Sequence, residues 1–215
     1  MNTGGSSGES DADSWSNYLD RRPIVAALAG SNGAGKSTFF ETHLKSSGLR
    51  FLNADVLAKE LEVDAYDAAR MIAALRVELV LQRESFVFET VFSDPVGDKL
   101  AFLKQTAQSG CAVVLCFIGI ADANTSEQRV AMRVSQGGHD VPTEKLIARF
   151  PRTLANLSAA IRELPCVLIF DNDDLRTPFR LVAAFADSRP LFVKQPVPSW
   201  LQPLLHRLSL CGLTI

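Results

Sequence analysis

The chain has 215 residues, 47% of them hydrophobic and 21% charged, with a formal net charge of −2. That balance suits one soluble domain with a single good hydrophobic core, and it excludes a globally basic nucleic-acid binder or a protein drawn to anionic membranes by net charge. No apolar run approaches the roughly 18–20 residues needed to span a bilayer, and the Gly/Ser/Asp-rich start lacks a basic-then-apolar leader.

Residues 1–20 are too polar to pack alone and read as a flexible tail, with Trp15 and Tyr18 available to anchor its end. From Pro23 onward short apolar runs at 23–30, 49–55, 85–92, 111–120, 166–172 and 190–195 predict strands. Longer segments at 36–46, 56–82, 98–109, 125–135, 143–164 and 177–187 predict helices. Strand alternating with helix is the pattern of a P-loop NTPase-type α/β fold, a doubly wound and mostly parallel sheet. The expectation is a single domain over 21–215, with a helical lid at about 122–163. In such sheets ligands bind at the carboxyl ends of the strands, so chemistry belongs just after each apolar run.

The first run passes into Gly30-Ser31-Asn32-Gly33-Ala34-Gly35-Lys36-Ser37-Thr38, which satisfies G-x-x-x-x-G-K-[ST] between a strand and a helix. Its glycines let consecutive peptide N–H groups turn inward onto phosphate oxygens, and the helix start adds its positive dipole end. Lys36 is expected on the β- and γ-phosphates of ATP, and the Ser37 hydroxyl on Mg²⁺.

The second run ends in Asn53-Ala54-Asp55. Asp55 is placed either to accept a proton from an attacking hydroxyl or to cap the following helix, and the two roles are compatible. The third run ends in Phe88-Glu89-Thr90, where an unpaired carboxylate between apolar neighbours would be costly. Glu89 therefore calls for a metal-bound water, an arginine or a substrate hydroxyl, unless it simply sits at a solvated strand tip. The run ending in Asp171-Asn172-Asp173-Asp174 invites a Walker B reading. Its position downstream of the lid, and Asn172 in place of a second acid, favour a structural or adenine-side loop.

Arg129 and Arg133 share a helix face, and Lys145, Arg149 and Arg152 share another across the turn Ser135-Gln136-Gly137-Gly138-His139-Asp140-Val141-Pro142. In a net-acidic protein this basic hairpin reads as a lid over a triphosphate, against the alternative of a solvated helical pair. Arg133 and Arg149, flanking the turn, are the expected phosphate contacts, stabilising charge on the transferring oxygens in cis. Cys111, Cys116, Cys166 and Cys211 form no C-x-x-C pair and read as reduced thiols of a cytoplasmic protein. His43, His139 and His206 lack zinc-like spacing.

Over residues 23–175 the GSNGAGKST loop, the NAD triplet 53–55, FET at 88–90 and RVAMRVSQGGHDVP with Arg149 and Arg152 together resemble the zeta-toxin-like P-loop kinases. That group includes UDP-N-acetylglucosamine kinases and sequences labelled predicted ABC-type ATPases. The resemblance implies that Asp55 is the base, that Lys36 and Ser37 hold ATP–Mg²⁺, and that Glu89 and Thr90 face acceptor or metal. It also implies that lid arginines clamp the phosphates and that the acceptor is a UDP-amino sugar or another nucleotide.

The leading expectation is therefore an ATP-dependent small-molecule kinase. A second is a toxin or regulatory module paired with a protein antitoxin, and a third a P-loop ATPase without an acceptor. The ATPase-motor reading lacks an LSGGQ-like signature, and a GTPase lacks N/T-K-x-D.

Overall fold

Six consecutive apolar residues, Ile24–Ala29, form strand β1, and every one is buried. Val25, Ala27 and Ala29 feed one core while Ile24, Ala26 and Leu28 feed another on the opposite face. A strand covered on both faces needs no polar alternation, which is why its run is continuous. The computed structural model describes residues 15–135 and 141–213. The tail expected over 1–20 lies outside the described residues up to position 14. Of the glycine turn expected over 135–142, positions 136–140 lie outside them as well.

Around β1 stand β2 (Arg50–Leu52), β3 (Phe86–Thr90), β4 (Ala112–Gly119), β5 (Cys166–Asp171), β6 (Arg180–Ala186) and β7 (Arg189–Val193). The seven-stranded sheet runs β2-β3-β1-β4-β5-β6-β7; the first five strands are parallel and the last two antiparallel. The chain leaves β1 toward β2 and leaves β3 toward β4. The carboxyl ends of β1 and β3, which pair Ala29 with Thr90, thus flank a topological switch point where a ligand crevice forms.

One face carries α3 (Ala65–Leu81), α4 (Asp98–Gln108), α6 (Thr143–Glu163) and α7 (Gln202–Leu210), whose Ile72, Leu103, Leu157 and Leu204 reach the first core. The other face is covered by α1 (Lys36–Phe39), which continues as a π-helical turn, Phe40–Leu44, and a 3-10 turn, Lys45–Ser47. The segment Ser16–Leu19 also lies on this side. Trp15 seats it against Phe39 and Phe170, with ring centroids 5.8 and 5.4 Å apart, and Tyr18 packs alongside. Among the described residues no helix is long and apolar enough to cross a membrane. The four cysteines are free, and burial pushes the Cys166 thiol up to about 12.

Three expectations need correction. The predicted helix at 177–187 is strand β6, paired with β5 and turned into β7 through Asp187 and Ser188 at φ 46° and 64°. A two-residue turn with both φ values positive is the preferred hairpin connection, but without Asn-Gly or Gly-Gly it leaves no signal in the sequence. The single helix at 56–82 is two: α2 (Ala54–Leu61) ends at Glu62 in the left-handed region, and Asp64 caps α3 by accepting from the Tyr66 and Asp67 amides. Helix α7 was not expected.

Candidate functional site

The loop 30–35 joins β1 to α1 and is held open from outside. Gly30 has φ 147°, and a Cβ there would fall 2.3 Å from the Ile118 carbonyl oxygen on β4. Gly35, at φ 91°, would bring a Cβ to 2.7 Å from the Asn172 side-chain amide. Only glycine serves at both positions, one for its conformation and closeness to the sheet, the other for its closeness to a positioning side chain. Asn172 donates to the Ala34 carbonyl at 2.8 Å, and the Ser126 hydroxyl donates to the Asn32 carbonyl at 2.7 Å.

Lys36 begins α1, and its side chain is 5% exposed. Its ammonium donates to the Ser31 carbonyl at 2.9 Å and lies 3.6 Å from Glu89 Oε1. Burial depresses its pKa below the ordinary 10.5; the Glu89 and Asp55 carboxylates oppose that shift and the Arg133 guanidinium adds to it. Arg133 and Asp55 therefore lie within electrostatic reach of the P-loop ammonium.

Glu89, at the carboxyl end of β3, is the hub of the site. Its Oε2 accepts from the Ser37 hydroxyl at 2.7 Å and from the Asn53 side-chain amide at 2.8 Å. The partner of this half-buried carboxylate in the structure is thus the P-loop itself rather than an arginine. A serine hydroxyl beside a carboxylate is a hard-oxygen donor pair, the kind Mg²⁺ accepts alongside nucleotide phosphates, so these residues fit that ion.

Asn53 also settles the reading of Asp55. The Asn53 side-chain oxygen accepts from the Asp55 and Val56 amides at 2.8 and 3.2 Å, so Asn53 is the helix cap and Asp55 is not. Asp55 lies in the first turn of α2, exposed, with its side chain on the cavity wall. Thr90 lines the same cavity; its hydroxyl oxygen accepts from the Phe92 amide at 3.1 Å and fixes a turn in which Phe92 has φ 60°.

The basic hairpin is α5 (Ala123–Ser135) followed by α6. Arg133, Lys145, Arg149 and Arg152 all line a cavity of about 640 Å³ shared with Asn32, Asp55 and Glu89, a size typical of small-molecule sites. Arg129 instead donates to the Asn172 and Asp173 carbonyls at 2.8 and 2.9 Å, tying α5 to the loop after β5. Glu127, on the same helix, accepts from the Thr143 hydroxyl at 2.7 Å. Asp171 accepts from the Trp200 indole N–H at 2.8 Å and from Arg180 at 3.2 Å, a structural duty two strands away from β1. A Walker B role is thus closed to it.

Sequence reasoning missed Arg76 and Asp94, both on the same cavity wall. The signal for Arg76 was available: it lies on the α3 face marked by Ala68, Ile72 and Leu79, a core-facing position for a cation. For Asp94, in the loop after β3, no sequence signal exists.

The family described as "AAA domain" matches residues 25–155. No curated protein matches the chain. Among solved structures, the AvrRxo1-ORF1:AvrRxo1-ORF2 complex, solved with sulphate ions and with ATP, gives a TM-score of 0.66 at 16% identity, covering 93% of this chain and 67% of that one. A chain of the PezAT chromosomal toxin–antitoxin system of Streptococcus pneumoniae gives 0.56 at 14% identity, covering 88% of this chain and 79% of that one. At these identities the likeness is one of fold alone, that of the P-loop kinases.

Proposed function

The chain belongs to the AAA domain family, and on that premise we propose that it is an ATP-dependent kinase of small molecules, moving the γ-phosphoryl onto a hydroxyl of a UDP-amino sugar or another nucleotide. One observation carries the reading. Lys36, Ser37 and Asn53 converge on Glu89 at the mouth of the P-loop, while Asp55, relieved of capping by Asn53, lines the same cavity.

In this reading the amides of 30–38 and the Lys36 ammonium hold the triphosphate. The Ser37 hydroxyl beside Glu89 would hold Mg²⁺, which when bound would supply positive charge against the phosphate oxygens. Asp55 takes the proton from the acceptor hydroxyl as it attacks, and Thr90 and Glu89 orient the acceptor. Arg133 and Arg149 stabilise charge on the transferring oxygens, and the hairpin over 122–163 closes to exclude water. The enzyme works in the cytoplasm, where ATP is supplied and its thiols stay reduced.

The test is phosphate transfer from γ-labelled ATP to a panel of UDP-sugars, nucleosides and dinucleotides. Replacing Asp55 by Asn should cut transfer by about 10²–10⁴-fold, the range for a general base, with ATP affinity nearly unchanged. A full transfer rate in Asp55→Asn removes the base assignment. Turnover that no acceptor stimulates favours a simple ATPase.

A protein partner is the second reading. Tyr66, Val77 and Leu81, 73%, 51% and 72% exposed, share one face of α3 and offer it an apolar surface.

A further inference from the structure

Beyond the phosphate cradle the cavity continues to a wall built by α3 and the loop after β3, and a cation without a counterion is buried there. Arg76 is only 8% exposed. Its guanidinium carbon stands 4.5 Å from the centre of the Phe88 ring and 4.9 Å from that of Phe102. Its Nε is buried with no acceptor, and no described residue gives Arg76 a hydrogen bond or ion pair. Burial lowers its pKa from the ordinary 12.5, and no neighbouring acid opposes the shift. Ring faces attract a guanidinium, but they satisfy none of its five N–H donors.

A charge buried in this way is expensive unless something pairs with it. The opposite case lies on the same wall: both carboxylate oxygens of Asp94 are shut off from solvent and accept from nothing. The two groups do not neutralise each other, for no ion pair joins them. Above Arg76 the α3 side chains are small, Ala69 and Ala73, and Lys99 and Arg152 add positive charge to the wall. Unmatched groups of both signs lining one cavity mark a place whose counter-groups arrive with a ligand.

We propose that Arg76 seats an anionic oxyacid group, a phosphate or a carboxylate, of the same hydroxylated molecule whose reacting hydroxyl is presented to Asp55. This rests on the kinase reading of the P-loop. The planar guanidinium fork matches either oxyanion with paired hydrogen bonds, and the acceptor's other hydroxyls supply the donors Asp94 lacks. A neutral sugar would leave Arg76 unmatched, and a bare anion would leave Asp94 so.

The experiment fills the P-loop first, with a non-hydrolysable ATP analogue and magnesium. It then titrates inorganic phosphate and, separately, acetate while following the ¹⁵N Nε–H resonance of Arg76, assigned by its loss in Arg76→Met. A saturable shift is expected, and the anion acting at lower concentration identifies the oxyacid class. Arg76→Met should bind the anion about 10–100-fold more weakly, the effect of losing charge-assisted hydrogen bonds. It should keep its affinity for the ATP analogue and melt no lower than the wild type, since the unpaired cation is gone. An Arg76 resonance unmoved by either anion overturns the proposal. So does an Arg76→Met protein that melts lower yet binds anions as before, because Arg76 is then only a core residue held by its rings. Failure of the kinase reading shows separately, as no calorimetric binding of the ATP analogue, and the Arg76 titration is then run and read without it.

Discussion

Replacing Glu89 by Gln keeps the shape of the hub and removes its charge. In the wild type that charge lies 3.6 Å from the Lys36 ammonium, with side chains 17% and 5% exposed, and it accepts from Ser37 and Asn53. The variant leaves Lys36 with the Ser31 carbonyl as its remaining hydrogen-bond acceptor, in a position where burial already disfavours the ammonium. Loss of one half-buried partner of this kind should cost about 2–3 kcal/mol, below the full penalty for a deeply buried pair. At this chain length the loss corresponds to about 4–12 °C in Tm. A polyphosphate brings its own negative charge to the same ammonium, so the deficit should shrink by more than half in saturating magnesium-free ATP. Differential scanning calorimetry of both proteins, with and without nucleotide, reads all four values. An equal deficit in the two conditions would show that Lys36 does not meet phosphate, and the cradle reading would fall.

Two further outcomes follow from the same geometry. Gly35→Ala places a Cβ 2.7 Å from the Asn172 amide at φ 91°, so a cost of about 1–3 kcal/mol and a loss of ATP affinity are expected, read by thermal melts and calorimetry. The depressed pKa of Lys36 has a signed consequence: the folded protein releases that proton below pH 10.5 while the unfolded chain still holds it. The stability contributed by this group is therefore complete above 10.5 and lost as pH falls through the depressed value, whereas pyrophosphate affinity falls as pH rises through it. Calorimetric titrations from neutral to alkaline pH should show affinity declining before 10.5 is reached.

The parts of the molecule legible in sequence were those where one residue pattern has one physical meaning. Strands β1, β3, β4 and β5, which feed the cores on both faces of the sheet, left continuous apolar runs, and the P-loop left its spacing in the open. Strand β6 was not legible, because Arg180–Ala186 contains three alanines and its hairpin turns on Asp187 and Ser188 rather than on glycine. The role of Asn53 was hidden for a different reason: cap and base candidates stood two positions apart, and only the backbone geometry shows which side chain turns back on the helix. Arg133 lines the cavity while Arg129, one turn before it on α5, is spent on the Asn172 and Asp173 carbonyls, because equally spaced cations on one helix meet different surroundings.

Helix α6 runs from Lys145 and Arg149 on the cavity wall, through Pro151, which can give no amide hydrogen bond to the turn before it, to Leu157, Ala160 and Ile161, which are fully buried beneath the sheet. Midway, Thr153 and Asn156 donate to the Val91, Phe92 and Asp94 carbonyls of the loop after β3. The helix is a beam with one end bolted into the foundations and a bracket at its middle. The basic wall of the cavity and the loop that carries Asp94 therefore hang on one helix, and the Thr153 and Asn156 hydrogen bonds set the spacing between them.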